Sequence, residues 1–222
     1  MKVFIKICLL FIVISQSSCA VRDFATISKR KTLEITKDSR VPDIEFVTPM
    51  SKMGSVIGGA VGMTMYFKGM QDDLVNKKIE NPDNRLKRYV SSIFKEKYGL
   101  QILAQKDKKI YGPRKNKETV KNILSQYSDA DLVLDVFSEI QGDYTPLDFS
   151  KYKLTYTAWI RVIDKTTKAV VFDDVCIYSE GLYSVTPGHT RTDLTQNTKV
   201  LSPILEEAYK DCAKSIRSAF DK

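Results

Sequence analysis

The sequence predicts an α+β fold, a mixed four-stranded sheet packed with helices and preceded by a glycine-rich helix, and three observations carry that prediction. Residues 151–163 alternate strictly, with Tyr152, Leu154, Tyr156, Ala158, Ile160 and Val162 on one parity and Lys153, Thr155, Thr157 and Arg161 on the other. That period of two marks a half-buried strand. Strand-like segments flank it at 130–140 and 169–180, joined on one side by the short turn Asp164–Lys168. Apolar residues at helical spacing then bracket this block, at 86–94 and at 201–220. A run of sequential strands closed off by helices is the pattern of a layered α+β domain.

The chain opens with MKVFIKICLLFIVISQSSCA. Lys2 and Lys6 form a positive start, Ile7–Ile14 is unbroken apolar sequence, and small residues lead to Cys19. This is the layout of a secretory signal peptide over residues 1–18. The apolar run falls short of the roughly 20 residues that a permanent span needs. Cys19 resembles the acceptor cysteine of bacterial lipoproteins, whose box reads Leu-(Ala/Ser)-(Gly/Ala)-Cys; Gln16 departs from it, while Ser17 and Ser18 fit. The resemblance implies a lipid on Cys19, a mature chain starting there, and the outer membrane as destination, since Ala20 is not a retention signal. A second reading stays open: Ser18 and Ala20 also satisfy small-x-small cleavage before Val21, which leaves a soluble product.

Residues 19–50 are polar, of mixed charge and without a sustained period, and read as a lipidated N-terminus and tether followed by a short extended segment. Residues 51–79 follow as a glycine-spaced helical segment, with Gly54, Gly58 and Gly62 at every fourth position. Such a stripe lets another backbone approach closely. Lys52 and Lys68 bracket about 22 Å of helix, short of a bilayer core of about 30 Å. Packing against its own domain and a membrane or self-assembly role are both open.

The α+β domain is expected over 80–222. Asn81 and Pro82 form a helix start, Leu86, Tyr89, Val90, Ile93 and Phe94 its apolar stripe, and Gly99 its stop. LQILA at 100–104 is a short strand, and a basic loop with Gly112-Pro113 leads to a second amphipathic helix through Val120, Ile123, Leu124 and Tyr127. This strand–helix–strand unit predicts a parallel crossover, and the last three strands an antiparallel meander. The closing helix is expected to be capped at Ser202, with Pro203 in its first turn. The order of elements over roughly 80–220 is similar to periplasmic domains of the curli-secretion lipoprotein and of peptidoglycan-synthase-activator lipoproteins.

The 222 residues carry a formal charge of +8, of which two lysines belong to the leader. The excess is spread along the chain, which argues against a nucleic-acid partner. Cys8 leaves with the leader and Cys19 is assigned to lipid, so Cys176 and Cys212 remain, and an exported chain predicts one disulfide between them; two buried thiols are the alternative.

No motif for a nucleophile, a metal or a nucleotide is present, and the single histidine, His189, rules out multi-histidine metal sites. No catalytic residue, metal or cofactor is expected, and the chain reads as a non-enzyme. Asp143, Asp148 and the pair Asp173-Asp174 are read as solvated carboxylates rather than acid–base groups. Trp159 lies on the polar parity of the best strand, which implies either a covering helix or a contact surface. With Arg161, and with His189 and Arg191 from the long connection 181–199, it makes the expected partner surface; loops of that length without structure of their own are commonly functional. Loop 141–150 is expected at the same sheet end. The expected partners are a membrane reached through the N-terminal lipid, an envelope protein or peptidoglycan, and a second copy through the glycine-spaced helix. An exported enzyme acting on a cell-wall or envelope polymer is the runner-up.

Overall fold

Two long strands organise the molecule. The structure is a computed structural model and describes residues 21–36, 44–47, 80–103, 117–127, 129–145, 148–181 and 187–221. Strand β4 (Leu132–Thr145) runs antiparallel to β5 (Asp148–Asp164), in register from Leu132 opposite Asp164 to Tyr144 opposite Tyr152. Strand β6 (Ala169–Ser179) returns beside β5 through the expected turn. Asp164 holds that turn by accepting from the Thr167 amide at 2.7 Å.

The mixed α+β class is as expected, but among the described residues the sheet has seven strands rather than four. The additional strands come from segments read as tether and loop. Helix α1 (Phe24–Ser28), β1 (Thr32–Ile35) and β2 (Ile44–Val47) lie within residues 19–50, and Ile27 and Leu33 are fully buried. Strands β1 and β2 pair in parallel with successive stretches of β4, so two short strands do the work of one. Strand β3 (Gln101–Ile102) pairs with β1, which therefore separates it from β4 in the parallel crossover. Strand β7 (His189–Thr190) pairs with the start of β5. The leader, Cys19, and Gly54, Gly58 and Gly62 lie outside the described residues.

One face of the sheet is sealed by two helices. Helix α2 (Pro82–Tyr98) has the expected ends: the Asn81 side chain accepts from the Asp83 amide at 2.9 Å, and Gly99 takes the left-handed φ of 66° that a closing residue without a Cβ adopts freely. Its first turn is pinned to the sheet by Asp83, which accepts from the Ser138 amide at 3.2 Å, the Ser138 hydroxyl and the Tyr156 hydroxyl at 3.3 Å. Burial, followed by the Asp83 charge, pushes the Tyr156 phenol well above its usual range.

Helix α3 (Lys117–Gln126) lies on the other face, and α4 (Arg191–Gln196) occupies the long connection. Helix α5 (Thr198–Phe220) begins earlier than expected. Its cap is Asn197, accepting from the Lys199 amide at 3.1 Å, and Pro203 falls inside the helix rather than in its first turn. Helices α2 and α5 are clamped by Arg217, which donates to both Glu96 oxygens at 3.0 and 3.1 Å. Between them Phe220 stacks on Phe172 of β6 (4.9 Å) and meets Phe94 edge-on (5.1 Å).

Cys176 of β6 and Cys212 of α5 form the expected disulfide, 36 positions apart in the chain. It ties the sheet's edge strand to the closing helix. Replacing both cysteines with Ala is expected to lower unfolding free energy by roughly 3–4 kcal/mol in the chain-entropy account. Urea titration of the purified, disulfide-bonded protein checks this; an unchanged midpoint contradicts it.

Candidate functional site

The parity of β5 directs Thr155, Thr157, Trp159, Arg161 and Ile163 to the face opposite α2 and α5. That second face is built in rows across β4, β5 and β6. At one end Val133 and Ile163 are sealed beneath Ile123 and Tyr127 of α3 and its C-terminal flank. The next row is charged. Arg161 donates to Asp135 from Nε at 3.1 Å and Nη2 at 2.9 Å, and both side chains are buried. Thr36 donates to the other Asp135 oxygen at 2.8 Å, so the pair is anchored on three strands. Asp173 stands opposite Arg161 on β6. Burial raises its pKa above the usual carboxylate value, opposed by Arg161 and reinforced by Asp174.

Beyond the ion pair the face turns apolar. Trp159 stacks on Phe137 at 5.2 Å with the rings 11° from parallel, and the Arg161 guanidinium lies 5.5 Å from the Phe137 ring centroid. Trp159 is half-buried and pairs across the ladder with Val175. Val175 is 41% exposed, and Ile177, on the same side of β6, is 64% exposed. Among the described residues, Trp159 is thus neither sealed under a helix nor standing alone.

The outer edge of β6 receives the start of the described chain. Arg22 bridges Phe172 in antiparallel sense, Asp23 donates from its amide to Val171 at 2.8 Å, and the Asp173 amide donates to Val21 at 2.8 Å. The Arg22 guanidinium also reaches Asp174 at 3.2 Å. Val21 falls opposite Asp173, on the face of Val175 and Ile177, and is itself 41% exposed. Exposed large apolar side chains among the described residues are Val21, Phe149, Val175 and Ile177, so three of the four line one stretch of one edge.

The expected partner surface is divided. Trp159 and Arg161 share the second face, whereas His189 pairs with Tyr152, seven positions earlier on β5 and on the opposite face. Seven residues of strand separate them by roughly 23 Å. His189 Nε2 lies 2.9 Å from Glu180 Oε1, and the Arg191 guanidinium sits 5.0 Å from the Phe46 ring centroid, where Phe46 meets Tyr152 edge-on. These are packing roles at the sheet end. The connection carrying them is not a bare loop, since α4 starts with a reciprocal Thr190–Asp193 capping box. Its other expectation holds: Gly188 passes so close to Thr145 that a Cβ there meets the Thr145 methyl at 2.8 Å.

Val21, Phe137, Val175 and Ile177 escaped the sequence reading. For Val175 and Ile177 the signal was present in β6, where apolar residues occupy both parities. Beside α3, a groove of about 630 Å³ is lined by Val120, Leu124, Ala169 and Val170, with Lys121 and Lys168 at its rim. Among the described residues, no group of three or more His, Cys, Asp or Glu could hold a metal, and no helix is long and apolar enough to cross a membrane.

No family model matches the chain, and no curated protein matches it. Solved structures do. A homologue of neuraminyllactose-binding hemagglutinin from Helicobacter pylori is similar at 14% identity and a TM-score of 0.37, over 85% of this chain and 82% of that one. A hypothetical protein from Chlamydia trachomatis, CT253, follows at 11% identity and 0.35, over 84% and 95%. Lipoprotein GNA1162 from Neisseria meningitidis is similar at 12% and 0.31, over 84% and 99%. These are partial likenesses of chain path to bacterial proteins, one of which is a lipoprotein.

Replacing Asp135 with Ala strands the buried Arg161 guanidinium and is expected to cost about 3–5 kcal/mol. A double Asp135→Leu/Arg161→Met variant is expected to recover most of it. Chemical denaturation of both variants checks this; a single variant as stable as the parent contradicts the pairing.

Proposed function

We propose that this chain is a non-enzymatic lipoprotein of the bacterial cell envelope, exported by its leader, held to the outer membrane by a lipid on Cys19, and working by binding another envelope component. The observation that carries the reading is the combination of an export leader ending in Ser17-Ser18-Cys19 with a bonded Cys176–Cys212 pair, which belongs in an oxidising compartment. The second face supplies a binding surface: a rigid sheet presents half-buried Trp159, stacked on Phe137, and the exposed Val175 and Ile177, beside a buried ion pair. Aromatic side chains on rigid elements are favoured contact residues because little conformational freedom is lost when they are covered.

Binding is favoured over catalysis by the state of the polar clusters. The arrangement nearest to a catalytic one, Ser138 with Asp83 and Tyr156, is sealed beneath the first turn of α2, with Asp83 4% and Tyr156 2% exposed. Its hydrogen bonds hold a helix to a sheet and leave no approach for a substrate. Self-assembly through Gly54, Gly58 and Gly62 is compatible with this role and adds a second copy as a partner.

Palmitate labelling and mass analysis of the mature N-terminus test the anchor. The parent is expected to incorporate label, start at Cys19 and sediment with membranes, and Cys19→Ser to lose the label. An unmodified chain beginning at Val21 contradicts it.

A further inference from the structure

We propose that the outer rim of β6, marked by Val21, Val175 and Ile177, rests against the bilayer that holds the lipid on Cys19. This rests on the lipoprotein reading and deepens it by assigning the surface that meets the membrane.

Covalent distance makes the case. Val21 is held on β6 by the Asp173 amide at 2.8 Å, and a chain beginning at Cys19 has only Ala20 before it. Two residues span at most about 7 Å, so the acylated residue stays within that reach of the β6 edge. Tether length is therefore absent where the sequence reading placed it, and the domain cannot stand away from the lipid.

The side chains at that point suit the surroundings. Val21, Val175 and Ile177 share one face of the edge, at 41%, 41% and 64% exposure. From Asp173, opposite Val21, to Ile177 is about 13 Å of strand. This apolar row begins where the lipid must enter and continues inward to Trp159, the ladder partner of Val175. Aromatic rings of this kind are favoured at the level of lipid headgroups. Among the described residues, the backbone of the rim is also open beyond the stretch paired with Val21 and Asp23. Asp173 and Val171 turn their backbone groups outward, so strand alternation turns those of Val175, Ile177 and Ser179 outward as well, and the Val175 amide is satisfied by the neighbouring Asp174 side chain at 2.9 Å. In a headgroup layer the remaining polar groups find water and phosphate. A single acyl attachment holds more firmly when a second contact accompanies it.

The chain contains one tryptophan, so Trp159 reports on this face without ambiguity. The full-length chain is expressed in a bacterium, extracted in detergent and reconstituted into vesicles of phosphatidylethanolamine and phosphatidylglycerol, with or without brominated acyl chains. The expected results are co-flotation with the vesicles and about a twofold loss of Trp159 emission in the brominated ones, as for shallow interfacial contact. A Val175→Asp/Ile177→Asp variant with unchanged circular dichroism is expected to co-float and keep its emission. A parent protein that co-floats with undiminished emission overturns the membrane contact and leaves the lipid anchor standing. Failure to co-float overturns the anchor, and the contact with it. Equal quenching in the Asp variant, or crosslinking of Ile177→Cys into dimers on the vesicle, assigns the rim to another occupant and overturns the proposal.

Discussion

Everything in this molecule depends on the register of β4 against β5. The two strands stay paired without a shift from Leu132–Asp164 to Tyr144–Tyr152, and each residue's face follows from its place in that ladder. A slip of one residue exchanges the faces. With β5 slipped, Leu154, Tyr156 and Ile160 would leave the helices, and Arg161 would enter an apolar core without Asp135. Burial of Leu134, Val136 and Ile160 on one side and of the Arg161–Asp135 pair on the other excludes the alternative from both directions. The ion pair adds little net stability of its own, because desolvating two charges cancels most of their attraction, but it makes the wrong register costly.

Much of this was legible in the sequence, and the limits have physical causes. Helix α2 was readable to its ends because Asn81, Pro82 and Gly99 act through local backbone geometry. Strands β4, β5 and β6 were readable because one face is buried and the period is two. Strands β1 and β2 were not, since four-residue strands pairing with a distant β4 carry no local period. Polar residues such as Glu34 and Glu45 within them imitate a tether. Helix α5 was misjudged at its start because Ser202-Pro203 is a sound local cap signal overridden by Asn197 and by the burial of Leu201.

The site divides along the same line. Trp159 was found through a violated parity, which is a local signal. Its grouping with His189 and Arg191 failed because faces and sheet ends are tertiary facts: β7 joins β5 on the parity of Tyr152. Val21 was invisible as a site residue for a related reason. Nothing within its own segment shows that it lands beside Asp173, 152 positions later. That single contact also removes the spacer expected ahead of the domain, since the sheet engages the chain from Val21 onward.

The central claim is that one ladder orders two faces while, among the described residues, the edge of β6 stays open beyond Asp173. Residue-resolved hydrogen exchange on the purified exported protein tests this most directly. Amides bonded between β4 and β5, such as those of Phe137 and Trp159, are expected to exchange most slowly, through global unfolding. The outward amides of Ile177 and Ser179 are expected to exchange fast. Fast exchange along β4 and β5, or protection at Ile177 equal to theirs, would contradict the account.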